Sequence, residues 1–454
     1  MKSLIGDKKF YRMVLIVCIP IVIQNGFTNL ASLLDNIMIG QLGTLSMSGV
    51  SISNQLFQVF NVSVFGAMSG AGIFLAQFYG RGNRDGVHNC FRIKMLLGIL
   101  ISILAICIFK VLGPSLISLY LNDDPTDSLT TLNFGKQYMD VMLIGLIPFA
   151  ITQVYSSSLR ETGNTVLPMK ASVIAVIVNF CINYILIFGH FGFPKLGVIG
   201  AAIGTVISRV VEMGINVAAG YNNKYLRDAM RLDKISGDIF KNVVKRGIPL
   251  LCNEILWSIS IALISQCYST RGLEAVAAIN ITTTVTNFFM IICYAMGNSI
   301  SIIVGQRLGA GEIEYAKDCD LKMVFMNFMM CLCIGVALFG CSSFIPQIYN
   351  TSIEVKSLAT SLLRVSACML PIISLYYSSY FTMRAGGKTL LTFFFDSGYT
   401  FMFTFMVALC LTRFTNLPIF NVYLLVQCVD IPKAVLGITL VKKGIWVHNI
   451  VNEL

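Results

Sequence analysis

Charge is scarce in this chain. Only 12% of its 454 residues are Asp, Glu, Lys or Arg, and no polar stretch is long enough to fold as a soluble domain of its own. That shortage excludes a water-soluble enzyme or binding module, whose surface needs about twice as much charge. Histidine is rarer still: His88, His190 and His448 stand far apart, in or near loops. The fourteen cysteines, from Cys18 to Cys428, show no ligand spacing, and Cys331-Leu-Cys333 lies inside an apolar run where helix packing explains it. No Ser-His-acid set, phosphate-binding glycine loop or zinc signature is present. Enzyme chemistry has no residues to rest on, and no cofactor is implied.

What the chain has instead is apolar length. It is 56% hydrophobic with a mean hydropathy of +0.76. Apolar runs of membrane-spanning length recur from end to end. Twelve are expected, at 12–39, 48–79, 94–121, 136–160, 168–190, 196–221, 246–270, 277–306, 320–349, 358–383, 389–411 and 418–441. The pattern predicts an all-α membrane protein of twelve transmembrane helices. Lys2, Lys8, Lys9 and Arg12 before the first run resemble the start of a signal peptide. The run is too long, however, and lacks a small-residue cleavage site, so it reads as an uncleaved spanning helix.

The formal charge of +11 follows from topology and not from nucleic-acid binding. With segments assigned alternately, the even-numbered loops and both termini hold 24 of the 33 Lys and Arg, and the odd-numbered loops hold five. The positive-inside rule then places both termini in the cytoplasm of a multi-pass cell-membrane protein. Asp123, Asp124 and Asp127 fall in an outer loop, in agreement. The basic loops are also suited to anionic lipid.

The chain repeats itself. Ile19-Pro20 recurs as Ile248-Pro249, Gln77-x-x-Gly80-x-Gly82 as Gln306-x-x-Gly309-x-Gly311, and Arg160 to Thr165 (RETGNT) as Arg384 to Thr389 (RAGGKT). Six helices are followed by six similar ones entering from the same side, a parallel repeat that forms two six-helix lobes. The expected division is a lobe over 1–225, a basic cytoplasmic linker over 226–245 and a lobe over 246–454. The join between the halves, 222–246, reads as a solvated segment.

Polar residues inside the spans mark candidate sites. Asn25, Thr28, Asn29, Ser32, Asp35 and Asn36 recur every three or four residues in the first span, on one helical stripe. A carboxylate at membrane depth costs about 2.5–3.5 kcal/mol on the insertion scale. Asp35 therefore faces a cavity or partner, or snorkels to the interface, or its stripe only glues neighbouring helices together. Glu254, Ser258 and Ser265 share a face in the seventh span. Asn54, Gln58 and Asn61 mark the second span, and Asn280, Asn287 and Asn298 the eighth. Such faces describe a wet cavity. Asp35, Glu254 and Asp396 would make it negative and suited to cations. Asp430 with Lys433, and Arg209 with Glu212, are spaced as intrahelical ion pairs.

Taken together, several stretches resemble the multidrug and toxic compound extrusion (MATE) transporters of the bacterial type, over nearly the whole chain. They are LLDNIMIGQLG, GRGN and GAGE, RETGNT and RAGGKT, NFCINYILIFG, GVIGAAIGTVISR and DIPKAVLGITLVKKGIWVHNI. The resemblance implies a secondary antiporter that exports organic cations, drugs or dyes, in exchange for sodium ions or protons by alternating access. It implies a functional monomer in the membrane, with small organic cations and lipid as its partners and with no nucleic acid. Carried over, Asp35 matches the family's first-helix acid, the centre of a cation-coupling site that could hold sodium. Asn179 and Asn183 match the fifth-helix pair, and Thr205 the sixth-helix hydroxyl. Several members carry an aspartate where this chain has Asn183, so one carboxylate is expected here and not two. Glu254 matches the seventh-helix acid. Glu254, Asp396, Asn25, Asn54, Gln58 and Asn287 are the expected substrate-cavity residues. The abundant Met and Phe would let such a cavity accept varied apolar shapes, although most face lipid. The alternatives are a lipid-linked precursor flippase, which would need a basic cavity to match pyrophosphate, and a membrane-embedded transferase, which would need clustered His or acids at a membrane face.

Overall fold

The computed structural model describes residues 4–121, 125–230 and 235–453. Lys2, Asp123, Asp124 and part of the linker, 231–234, lie outside the described residues. Helix accounts for every regular element among them, and twelve helices are long and apolar enough to span a membrane. They are α1 (Lys8–Gly40), α2 (Thr44–Arg81), α3 (Arg84–Ser118), α4 (Thr126–Glu161), α5 (Val166–Phe188), α6 (Val198–Asn222), α7 (Gly237–Ser269), α8 (Leu273–Gly309), α9 (Ile313–Cys341), α10 (Ile353–Ala385), α11 (Thr389–Phe414) and α12 (Ile419–Lys442). All twelve expected spans are found, with different ends. Hydropathy locates the apolar middle of a helix and misses its polar turns. The fourth span, expected at 136–160, therefore starts at Thr126. The ninth, expected at 320–349, ends at Cys341 and is followed by a 3-10 turn over Ile345–Ile348.

The repeated motifs prove to be helix punctuation. Gly82 and Gly311, just beyond α2 and α8, have φ of +74° and +79°. A Cβ is disfavoured in that left-handed conformation, which lets the last turn close on itself. Asn83 then caps α3, its Oδ1 accepting from the Gly86 N–H at 3.0 Å.

The chain divides into two compact units, Ile23–Leu75 with Asn83–Val244, and Met1–Val22 with Ala76–Gly82 and Lys245–Leu454. For brevity they are unit A and unit B. Helices α1 and α2 each contribute to both. Unit A buries Phe91, Ile93, Leu146, Val154, Leu159 and Ala202. It also buries an ion pair between Lys94 on α3 and Glu161 on α4, at 2.5 Å. The described part of the join is not merely solvated, contrary to its expected character. Leu226 and Ala229 are 2% and 0% exposed, and the Ala229 carbonyl accepts from Arg92 Nε at 2.9 Å. Burial of these two apolar side chains outweighs the segment's basic composition there.

Unit B has its core along α8, α9 and α10, including Cys293, Met296, Met323, Leu362, Leu370 and Met383. Where the end of α2 meets the end of α8, the repeat-related Gly80 and Gly309 face each other's partner strand of backbone. A Cβ on Gly80 would overlap the Gln306 carbonyl, and one on Gly309 the Gln77 carbonyl. Gln77 is fully buried there. It donates to the Ala385 carbonyl at 3.0 Å and accepts from the Ile450 N–H at 2.9 Å, fastening the C-terminal segment to α2.

Candidate cation site

Unit A brings the four expected coupling residues together. Asn179 and Asn183 lie one turn apart on α5, 6% and 0% exposed. The Asn183 amide donates to Asp35 Oδ1 on α1 at 2.7 Å and to Asn179 Oδ1 at 3.3 Å. Asn179 donates in turn to Thr205 Oγ1 on α6 at 3.4 Å, and the Thr205 hydroxyl donates to the Ala201 carbonyl at 3.0 Å. Helical spacing explains the placement, since i and i+4 positions stack on one face. Asn183 Oδ1 is buried without a donor. It lies against Gly204, where a Cβ would overlap it. The glycine beside Thr205 thus makes room for the amide oxygen.

Tyr138 on α4, 4% exposed, donates to Asn54 Oδ1 on α2 at 3.2 Å. Asn25 is half-buried and Gln58 exposed, and neither makes a side-chain hydrogen bond among the described residues. The expected intrahelical pair of Arg209 and Glu212 is corrected. Arg209 donates to the Gly145 carbonyl at 3.4 Å and lies 5.0 Å from the centre of the Phe149 ring. Gly145 belongs to a 3-10 turn, Leu143–Gly145, that interrupts α4 and frees its carbonyl. Glu212 accepts from Ser172 at 2.5 Å, and Ser172 accepts from Gln24, whose own oxygen accepts from Arg160 at 3.2 Å. Contacts between helices satisfy both side chains better than their mutual spacing on one helix.

Unit B holds a second polar cluster. Asp396 lies on a π-helical stretch of α11, Phe394–Gly398. Lys433 of α12 reaches its Oδ1 at 2.9 Å, and Asn253 of α7 donates to its Oδ2 at 3.1 Å. Lys433 also donates to Thr400 at 3.2 Å and sits 4.5 Å from the Tyr376 ring centre. The expected pairing of Lys433 with Asp430 is therefore corrected: the lysine crosses to Asp396, which the π turns carry toward it. Asp396 accordingly adds little net negative charge, contrary to its expected contribution. Glu254, next to Asn253, accepts from the Tyr380 hydroxyl at 3.2 Å, and no ion pair holds it among the described residues. Asn287, on α8, is exposed and makes no side-chain hydrogen bond among the described residues.

The contrast between acids decides what each can do. Asp396 has a bonded ammonium. Asp35 has one neutral amide donor, Asn183, and two further oxygen-bearing residues, Asn179 and Thr205, follow in the same hydrogen-bonded chain, a set able to take up a small monovalent cation or a proton. Among the described residues no three His, Cys, Asp or Glu gather as a metal cage. Sequence reasoning missed Asn253 and Tyr380 as neighbours of these acids and assigned Lys433 to the wrong one, and it missed Tyr138 and Gly204, which contact Asn54 and Asn183. Asn253 carried a signal in its adjacency to Glu254.

Comparisons with known proteins bear on the family and the fold. The MatE family model matches residues 20–185 and 249–410, one segment in each half. A probable multidrug resistance protein of Thermotoga maritima, NorM, is 26% identical over 377 residues, 82% of this chain and 79% of its own length. YoeA of Bacillus subtilis, also a probable multidrug resistance protein, is 24% identical over 84% of this chain and 82% of its own. Among solved structures, a mutant of the Vibrio cholerae MATE transporter VcmN has a TM-score of 0.85 at 18% identity, covering 96% of this chain and 97% of that one. A MOP superfamily transporter of Pyrococcus furiosus, described as having a binding pocket of reversed polarity that suggests a different function, has a TM-score of 0.83 at 20% identity, covering 97% and 96%.

Proposed function

Because the chain belongs to the MatE family, and so is a multidrug efflux transporter and not an enzyme, we propose that it exports organic cations from the cell in exchange for one sodium ion or proton bound at Asp35. The observation that carries this reading is the environment of Asp35. Its carboxylate lies within a spanning helix, and Asn183 is its hydrogen-bond donor at 2.7 Å. A carboxylate at that depth without a fixed counter-ion gains much from any cation that reaches it. A proton needs only the carboxylate. Sodium needs more oxygens, and the Asn183 amide can supply one by turning over its Oδ1, which has no donor where it is.

Exchange follows from exclusive occupancy. With the site open to the cytoplasm, a cationic substrate meets an ionised, empty Asp35. When the site opens outward, the incoming ion neutralises Asp35 and the substrate's affinity falls. Coupling of this kind requires that the two cations bind one state competitively. Glu254, which accepts from the Tyr380 hydroxyl, adds negative potential for the substrate. Both termini and the join between the halves lie in the cytoplasm, as the distribution of Lys and Arg favours. The charge of the site also separates this reading from lipid-linked precursor export, because Asp35 would repel a pyrophosphate. The experiment is efflux of a panel of fluorescent organic cations from cells expressing wild type or Asp35→Asn. Export by wild type that the variant loses supports the reading, whereas equal export by both sinks it.

A further inference from the structure

Unit B contains a small cavity, of about 190 Å³, that the proposed exchange does not use. Asp320 and Leu321 of α9 line it with Trp446, and Lys317, Lys442 and Lys443 flank it. Asp320 is fully buried, seven residues into α9, about 10 Å from the helix start at 1.5 Å per residue. Thr382 of α10 donates to its Oδ1 at 2.6 Å, and its Oδ2 has no donor. The neighbouring charges are already matched: Lys317 pairs with Glu314 at 2.8 Å, and Asp318 with Lys322 at 2.6 Å. Lys442 and Lys443 are exposed and make no ion pair among the described residues. The cavity wall therefore includes a buried aspartate whose Oδ2 has no donor, with two lysine side chains beside it.

We propose that this cavity binds the headgroup of a phospholipid bearing a primary amine, with the ammonium on Asp320 Oδ2 and the phosphate between Lys442 and Lys443. The charge order of the site is the reverse of that zwitterion's. At about 190 Å³ the cavity is smaller than pockets for drug-sized ligands, which start near ~300 Å³. Residues near the start of α9 and the end of α12 line it, so the cavity lies where these two spanning helices reach their ends. A bare divalent ion is a poor match, because no third acid, His or Cys joins Asp320 and Asp318. Trp446 and Leu321 give the cavity apolar wall beside Asp320, and a low-dielectric surrounding strengthens an ammonium contact. A choline headgroup has no N–H to donate and cannot make that bond. Because Asp320 is closed off, entry needs the exposed lysine side chains to swing aside. Soluble phosphoethanolamine shares the chemistry.

The test uses the full-length protein, delipidated in detergent and titrated with phosphatidylethanolamine, phosphatidylcholine or phosphatidylglycerol, with bound lipid counted by native mass spectrometry. Phosphatidylethanolamine should bind at least tenfold more tightly than phosphatidylcholine, and Asp320→Asn should abolish that preference without changing the melting temperature. Exchanging both marginal lysines (K442Q with K443Q) should weaken phosphatidylethanolamine and phosphatidylglycerol alike. This double variant keeps the proposal open to refutation if Asp320→Asn fails to fold. Displacement of the lipid by millimolar phosphoethanolamine would identify a soluble amine phosphate as a sufficient ligand, and resistance to it would identify the lipid itself. Equal binding of the ethanolamine and choline lipids, or undiminished binding by the double lysine variant, would overturn the proposal.

Discussion

Asp35 and Asp396 are both carboxylates on spanning helices, yet only Asp396 has a lysine within 2.9 Å. Asp35 has the Asn183 amide, a neutral donor, so the site has one charge to balance. Asp35→Asn should therefore keep the fold, since an amide oxygen accepts the same hydrogen bond, while losing exchange. Gly204 is the site's least visible member. Gly204→Ala should force the Asn183 oxygen out of place at a cost of about 1–3 kcal/mol, read as a lower melting temperature together with weaker ion binding. Glu254→Gln still accepts from Tyr380, so it should lower cation export while purified protein melts as wild type does. A large drop in melting temperature would make Glu254 structural instead. Asp35, Asn179, Asn183 and Thr205 were legible through the resemblance of their motifs. Gly204 was not, because nothing in a sequence reports which side chain will press on a glycine. Lys433 was misread for a related reason: its short spacing to Asp430 is visible locally, whereas Asp396 lies on another helix.

At the scale of elements, hydropathy located every helix, and their ends depended on chemistry that hydropathy does not measure. The repeated glycines after α2 and α8 were legible as motifs before their role was. Their φ of +74° and +79° turns that likeness into a helix stop. The π stretch of α11 had no sequence signal, and it matters most, because it carries Asp396. Extra residues per turn shift a side chain around the helix, a device that recurs at functional sites. The Asp396–Lys433 pair is 14% and 3% exposed, so removing one partner leaves a buried charge. Lys433→Met should cost about 3–5 kcal/mol, and adding Asp396→Asn should restore most of the loss. Melting temperatures of the two single variants and the double variant give the coupling. If the double variant melts as low as the sum of the singles requires, the pair does not act as a unit.

At the scale of the whole molecule, twelve spanning helices were legible from hydropathy, and the way each compact unit buries its polar groups was not. Periodicity reports a face, while burial depends on which helices meet. The distribution of basic residues assigns a direction: a reporter fused after Lys443 should be active only when it requires the cytoplasm, and an external signal would reverse the topology. Direction and site together give the central claim, that one monovalent cation taken up at Asp35 drives substrate out. The most direct measurement uses vesicles reconstituted with wild type or Asp35→Asn, given a sodium gradient or a proton gradient separately, with accumulation of a fluorescent organic cation as the signal. Wild type should concentrate the cation under at least one gradient, and Asp35→Asn should only let it equilibrate. A variant that concentrates substrate against its own gradient as well as wild type does would contradict the account.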